Sequence, residues 1–256
     1  MDARRHLEIL ATAGARLASV PVEHLGAPVP SVPGWTVEDV VRHTGKIHQW
    51  VSAVVQLPVD GDVGSVRPEG MPTGADCLPA YRDALSLITD ALTARPVDTE
   101  VTSFLGPVTL AWWIRRQAHE VSVHRHDAES AVEAAGGPAA HPFDVDEAAD
   151  GLDEWASTFL AVRWSQRFGD FPSELEGATI HLHGTDPEPP ADGSEWLLSF
   201  ADGKVQVAAT HAKGDVALRG PAEDLLLVMW RRRPLDVLEV FGDRTVAERL
   251  LEVATF

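Results

Sequence analysis

Apolar positions in the first 135 residues recur at helical spacing, and those after residue 177 at the spacing of strands. Leu7, Leu10, Ala11, Ala15, Leu17 and Ala18 fit a helix over residues 2–20, which a loop carrying Pro21, Pro28, Pro30 and Pro33 ends. Thr36 precedes VEDVVRHTGKIHQWVSAVVQ with Asp39 three residues later, a capping-box start for a helix over about 37–56. The Pro/Gly/Asp-rich interval 58–74 reads as loop and residues 75–94 as a third helix. Thr109 opens a fourth, LAWWIRRQAHEVSVHRHDAESAVEAA, which stops at Gly136-Gly137-Pro138. Four helices before the first strand signal predict a four-helix bundle.

Residues 144–168 read as one further helix. ATIHLHGT, EWLLSFADGKVQVAAT and DVALRG then predict short strands, with Asp202-Gly203 as a hairpin turn. PAEDLLLVMWRRR, opened by Pro221, and FGDRTVAERLLEVA read as two closing helices. The expected fold class is α+β, with a bundle over residues 1–140 and a smaller α+β domain over 141–256.

Composition narrows the function classes. A chain of 256 residues that is 45% hydrophobic buries a sizeable core, and its formal charge of −18 disfavours a general nucleic-acid surface. No uninterrupted apolar run approaches eighteen residues, which predicts neither a signal peptide nor a membrane span. Cys77 is the single cysteine, so an intrachain disulfide is excluded and a reducing cytoplasmic setting fits; nothing around it marks a catalytic thiolate. A monomer or weak dimer is expected.

The candidate chemistry lies in AHEVSVHRHD, residues 118–127. Glu120 and His124 are four apart and leave one helix face together, whereas His119 and His124 diverge by roughly 140° at 3.6 residues per turn. The stretch is therefore not the H-E-x-x-H arrangement of zinc proteases. A third ligand has to come from another helix. His43 lies close to the inward side marked by Val37, Val40, Val41, Thr44 and Ile47, while His48 falls nearer the solvent edge. Packing the second helix against the fourth brings His43 opposite Glu120 and His124. A hydrogen-bonded set of polar residues remains the competing explanation. His181 and His183 share the polar face of a predicted strand; without an evident third ligand, they read as exposed-face residues.

The segments VPSVPGWTVEDVVRHTGKIHQW and WWIRRQAHEVSVHRHDAE resemble the two signature regions of the mycothiol-dependent maleylpyruvate isomerase family, within the DinB-like metal-dependent superfamily. GPAEDLLLVMWRRRPLDVLEVFGDRTVAERLL resembles that family's C-terminal domain. The resemblance implies a DinB-like bundle with metal ligands His43, Glu120 and His124. It also implies zinc or another divalent metal, and mycothiol as the small-molecule thiol that attacks a small electrophilic substrate. Either cis-trans isomerisation or S-transfer would follow; a metal-dependent hydrolase and a non-catalytic small-molecule binding protein are the alternatives. Asp127, three residues beyond His124, is placed to orient its imidazole. Arg231 and Arg232, within Arg231-Arg232-Arg233, are the candidate clamps for an anionic substrate. Trp113 and Trp35 are the candidates for contact with the thiol; packing competes for both, Trp35 as a staple of the loop onto the bundle.

Overall fold

The computed structural model describes residues 1–191 and 193–255. They form two compact units, Met1–His141 and Pro142–Phe256. In the first, helices α1 (Ala3–Leu17), α2 (Val37–Val54), α3 (Cys77–Thr93) and α4 (Leu110–Ala134) make a four-helix bundle, α1 packing on α4 and α2 on both α3 and α4. Val37, Val40, Val41, Val51 and Val54 of α2 are fully buried. Each stabilises the bundle by about 1.5–3 kcal/mol relative to an exposed side chain. Two strands of two residues each, β1 (Glu100–Val101) and β2 (Val108–Thr109), pair antiparallel just before α4; segments this short leave no periodicity to read.

The second unit opens with a helical run that is not uniform. Helix α5 (Val145–Glu154) passes into a π-helical stretch, Trp155–Arg163, and then into α6 (Trp164–Phe168). Strands β3 (Thr179–Gly184), β4 (Glu195–Ala201), β5 (Lys204–Ala209), β6 (Val216–Gly220) and β7 (Glu239–Gly242) form a sheet in the order β5-β4-β3-β6-β7. Within this sheet β3 and β6 pair parallel and the other described pairs are antiparallel. Asp202-Gly203 makes the β4–β5 hairpin with φ of 53° and 69°, the left-handed geometry that an Asp-Gly turn favours. Phe241 and Gly242, which the sequence pattern assigns to the start of the last helix, instead end strand β7. The core lies between one sheet face, with Ile180, Leu182, Leu198 and Phe200, and the helices α5 and α7 (Ala222–Met229). Helix α8 (Arg244–Val253) closes the chain. Among the described residues, no helix is long and apolar enough to cross a membrane.

Candidate metal centre

The approach to the centre is built by the turn before α2. Gly34 takes φ of 85°, and the Val29 N–H donates to the Trp35 carbonyl at 2.8 Å, folding the loop back on itself. Thr36 then caps α2: its Oγ1 accepts from the Asp39 N–H at 3.3 Å, and Asp39 Oδ2 accepts from the Thr36 N–H at 3.0 Å. The Thr36 hydroxyl also donates to Asp39 Oδ2 at 2.8 Å, and this bond, with that from the Thr36 N–H, holds the Asp39 carboxyl below the usual range. The turn leaves the Trp35 ring 5.0 Å from His43 and 6.3 Å from His124, nearly parallel to the latter at 14°.

Nearly two helical turns into α2, His43 meets two side chains of α4. Glu120 Oε1 lies 3.6 Å from His43 Nε2 and 3.3 Å from His124 Nε2. The His43 side chain is 36% exposed and that of His124 13%, so the cluster opens to solvent on the His43 side. The other oxygen of Glu120 accepts from Arg116 at 2.8 Å, one turn earlier on the helix. Asp127, whose side chain is fully buried, lies 3.1 Å from His124 Nδ1 and accepts from the Ser31 hydroxyl at 3.1 Å. Of the decapeptide, Glu120, His124 and Asp127 therefore work together, while His119 is buried with its ring 5.6 Å from His6, and His126 meets Ser130 at 3.3 Å.

The electrostatics follow from this arrangement. Burial raises the cost of charge on Glu120, but the hydrogen bonds from His124 and His43 and the Arg116 charge outweigh it and hold its carboxyl well below the usual range. Burial likewise opposes charge on His124, and the Asp127 and Glu120 carboxylates overcome it, raising the imidazole to about 9. His124 thus carries a proton at neutral pH until something else occupies its Nε2 lone pair.

Two expectations are corrected here. His48, placed near the solvent edge from the periodicity, is fully buried, whereas His43 is the half-exposed one. His48 Nδ1 lies 2.9 Å from Gln117 Oε1 and Nε2 lies 3.4 Å from the Tyr81 hydroxyl, an arrangement that fits the neutral Nδ1–H tautomer. Burial depresses its pKa to about 4. Trp113, expected to touch a small thiol, is 1% exposed; its indole N–H donates to the Thr102 carbonyl at 2.9 Å, and its ring packs on Trp50 and Phe104. That leaves it no free face for a small molecule. Cys77 is fully buried at the start of α3, and burial, reinforced by the Glu38 charge, pushes its thiol up to about 11.

In the second unit, α7 ends at Met229, earlier than the sequence suggested, so Arg231 and Arg232 lie beyond the helix. Arg231 takes φ of 62°, and the Arg231 and Arg232 N–H groups return to the carbonyls of Val228 and Leu227. This is a Schellman closure with arginine where glycine is usual. The Arg231 side chain is exposed, Arg232 donates to the Trp230 carbonyl at 2.8 Å, and Arg233 is engaged by Glu223 and Asp224. Sequence reasoning missed the pairing of Arg116 with Glu120, and missed Ser31. The i−4 spacing to Glu120 was a signal for the first, and a lone loop serine gives none for the second.

A cavity of about 720 Å³ in the bundle, lined by Ala15, Arg16, Ser19, Glu129, Pro138 and His141 among others, includes none of the three clustered residues. Comparison with known proteins bears on the cluster instead. Residues 7–129 match the mycothiol maleylpyruvate isomerase N-terminal domain, and residues 146–249 match the C-terminal domain of the same family. Two crystal structures of the mycothiol-dependent maleylpyruvate isomerase share the fold. One, of a histidine-to-alanine mutant, superposes with a TM-score of 0.59 at 12% identity, covering 94% of this chain and 93% of that one. The other gives 0.55 at the same identity and coverage, 12%, 94% and 93%. No curated protein sequence matches the chain.

Proposed function

The chain belongs to the mycothiol maleylpyruvate isomerase family, and on that premise we propose that it is an enzyme using a divalent metal, zinc by preference, to activate mycothiol against a small electrophile. The observation that carries the reading is the convergence of His43, Glu120 and His124, whose donor atoms all lie within 4.8 Å of one another. Zinc with ligand bonds of about 2.0–2.2 Å in a tetrahedral site spaces its donor atoms by about 3.4 Å. The 3.3 and 3.6 Å separations from Glu120 Oε1 fit that spacing. Two imidazoles and one carboxylate also suit a catalytic site, which commonly leaves a fourth position open.

A cation held there supplies the charge that lowers a thiol's pKa, giving a nucleophile near neutral pH. The chain's own residues prepare the place. Asp127 accepts the Nδ1 proton of His124 and so turns the Nε2 lone pair toward the cluster. Arg116 holds one oxygen of Glu120 and leaves the other facing both imidazoles. Trp35 forms an aromatic wall against both histidine rings. Addition of the thiolate to a conjugated cis double bond forms a C–S bond and lets the former double bond rotate. Breaking that bond again releases the trans product and the unchanged thiolate. In a transferase the C–S bond persists, and the product takes up a proton. Arg231 and Arg232 are the guanidinium candidates for an anionic substrate.

The test is metal content and thiol-dependent turnover of untagged protein beside His124→Ala. Expected are stoichiometric zinc in the cluster of the wild type, mycothiol-dependent conversion of maleylpyruvate or a thioether from an electrophile panel, and loss of both in the variant. Turnover that persists without mycothiol, or a His124→Ala protein whose zinc content and activity both match the wild type, would sink the proposal.

A further inference from the structure

A second group of metal-binding side chains lies wholly within the C-terminal unit. Ile180 and Leu182 of β3 point into the core, so His181 and His183 project together from the opposite sheet face. Glu195 of β4 is the direct cross-strand partner of His183. The chain returns along β5, the Thr210 N–H donates to the Glu195 carbonyl at 3.1 Å, and the next residue is His211. Two neighbouring strands and the segment just beyond a third thus deliver three imidazoles and one carboxylate to one place. Sequence reading treated His181 and His183 as exposed because the two residues completing the set come from a different strand and from beyond another. His181 is in fact 5% exposed.

The contacts within the group are unusual for simple ion pairing. His181 Nε2, His183 Nδ1 and His211 Nδ1 lie 2.8, 3.0 and 2.5 Å from the same oxygen, Glu195 Oε2. A carboxylate oxygen offers about two lone pairs, so three ring nitrogens oversubscribe it as an acceptor. A cation that accepts the nitrogen lone pairs and the carboxylate together relieves this crowding, the donors moving apart by about 0.4–0.9 Å to reach the roughly 3.4 Å spacing of a tetrahedral shell. The rings stand nearly perpendicular to one another, with centroids 5.3 to 5.7 Å apart, as rings aimed at a common centre do. All four donor atoms fall within 4.8 Å of one another. The segment bearing His211 is fastened on both sides: Thr210 is bonded to Glu195, and Gly214 runs so close to β3 that a Cβ there would sit 2.9 Å from the His181 nitrogen.

We propose that His181, His183, His211 and Glu195 form a second divalent-metal site, of the zinc class, that clamps the segment after β5 onto the sheet. Three imidazoles with one carboxylate suit zinc, and four protein ligands fill a tetrahedral shell, as in structural rather than catalytic centres. The site is independent of the bundle cluster and of any thiol chemistry.

The experiment uses full-length, untagged, chelator-stripped protein titrated with zinc against a chromophoric chelator. Four proteins are compared: wild type, His124→Ala, His211→Ala and the double variant. The His211 side chain is 75% exposed, so its removal leaves packing intact. Wild type is expected to bind about two zinc ions per chain, either single variant to retain one at unchanged affinity, and the double variant to hold neither tightly. Loss of a direct ligand should weaken the sheet site by about tenfold or more, since even outer residues carry that much. Zinc should also raise the melting temperature of His124→Ala but not of the double variant. Unchanged zinc affinity and an unchanged zinc-dependent melting shift on removing His211 overturn the sheet site. Loss of one ion in His211→Ala but not in His124→Ala upholds it while overturning the bundle site.

Discussion

Acidification from pH 7 to pH 5 should destabilise the bundle by about 2 kcal/mol through His48 alone. The imidazole is fully buried between Gln117 and Tyr81, and burial depresses its pKa from 6.5 to about 4. Between these values the unfolded chain holds a proton that the folded chain does not. Stability is therefore fully present above the unfolded pKa and is lost as pH falls toward the folded one. The whole shift corresponds to about 3 kcal/mol, of which pH 5 exposes somewhat more than half. The assay is urea unfolding followed by far-ultraviolet circular dichroism at both pH values, on wild type and His48→Gln. Glutamine keeps a polar side chain but cannot titrate, and the acid response of every other group is common to both proteins. The wild type should lose about 2 kcal/mol more than the variant over this interval. Parallel losses would refute the reasoning, because they would mean that the folded protein accepts a proton on His48 as readily as the unfolded chain does.

Asp127→Asn should weaken zinc binding at the bundle cluster about 10–100-fold without unfolding the helix, measured by chelator competition. Trp113→Phe should cost about 3 kcal/mol in urea unfolding, from the cavity and the orphaned Thr102 carbonyl, while zinc stoichiometry stays unchanged. Thr36→Ala removes the capping box of α2 and should cost about 1 kcal/mol; faster amide exchange in the first turn of α2 is the accompanying signature.

The sequence carried the helical bundle and the α+β second unit because periods of 3.6 and 2 are local properties of the chain. Glu120 and His124 were legible for the same reason, being one turn apart on one helix. His43 and His48 were harder. Both border the apolar stripe of α2, and periodicity does not say which border the neighbouring helices cover; α3, through Tyr81, and α4, through Gln117, enclose His48. The end of α7 was misjudged because a Schellman closure is usually signalled by glycine, and Arg231 occupies that left-handed position here. The π-helical stretch after α5 has no pattern distinct from that of an α-helix over so few residues. Glu195 and His211 joined His181 and His183 only through strand register, which acts across long separations and is invisible along the chain.

The buried Cys77 has a consequence for the proposed thiol chemistry. With no exposure and a pKa of about 11, it offers almost no thiolate and no path for a mixed disulfide, so the folded chain is not capped by a small thiol under oxidising conditions. It also leaves the folded protein silent to disulfide-exchange dyes. Sulfhydryl chemistry recorded in a reaction mixture then reports the added thiol alone, and consumption can be followed continuously without subtracting a protein signal.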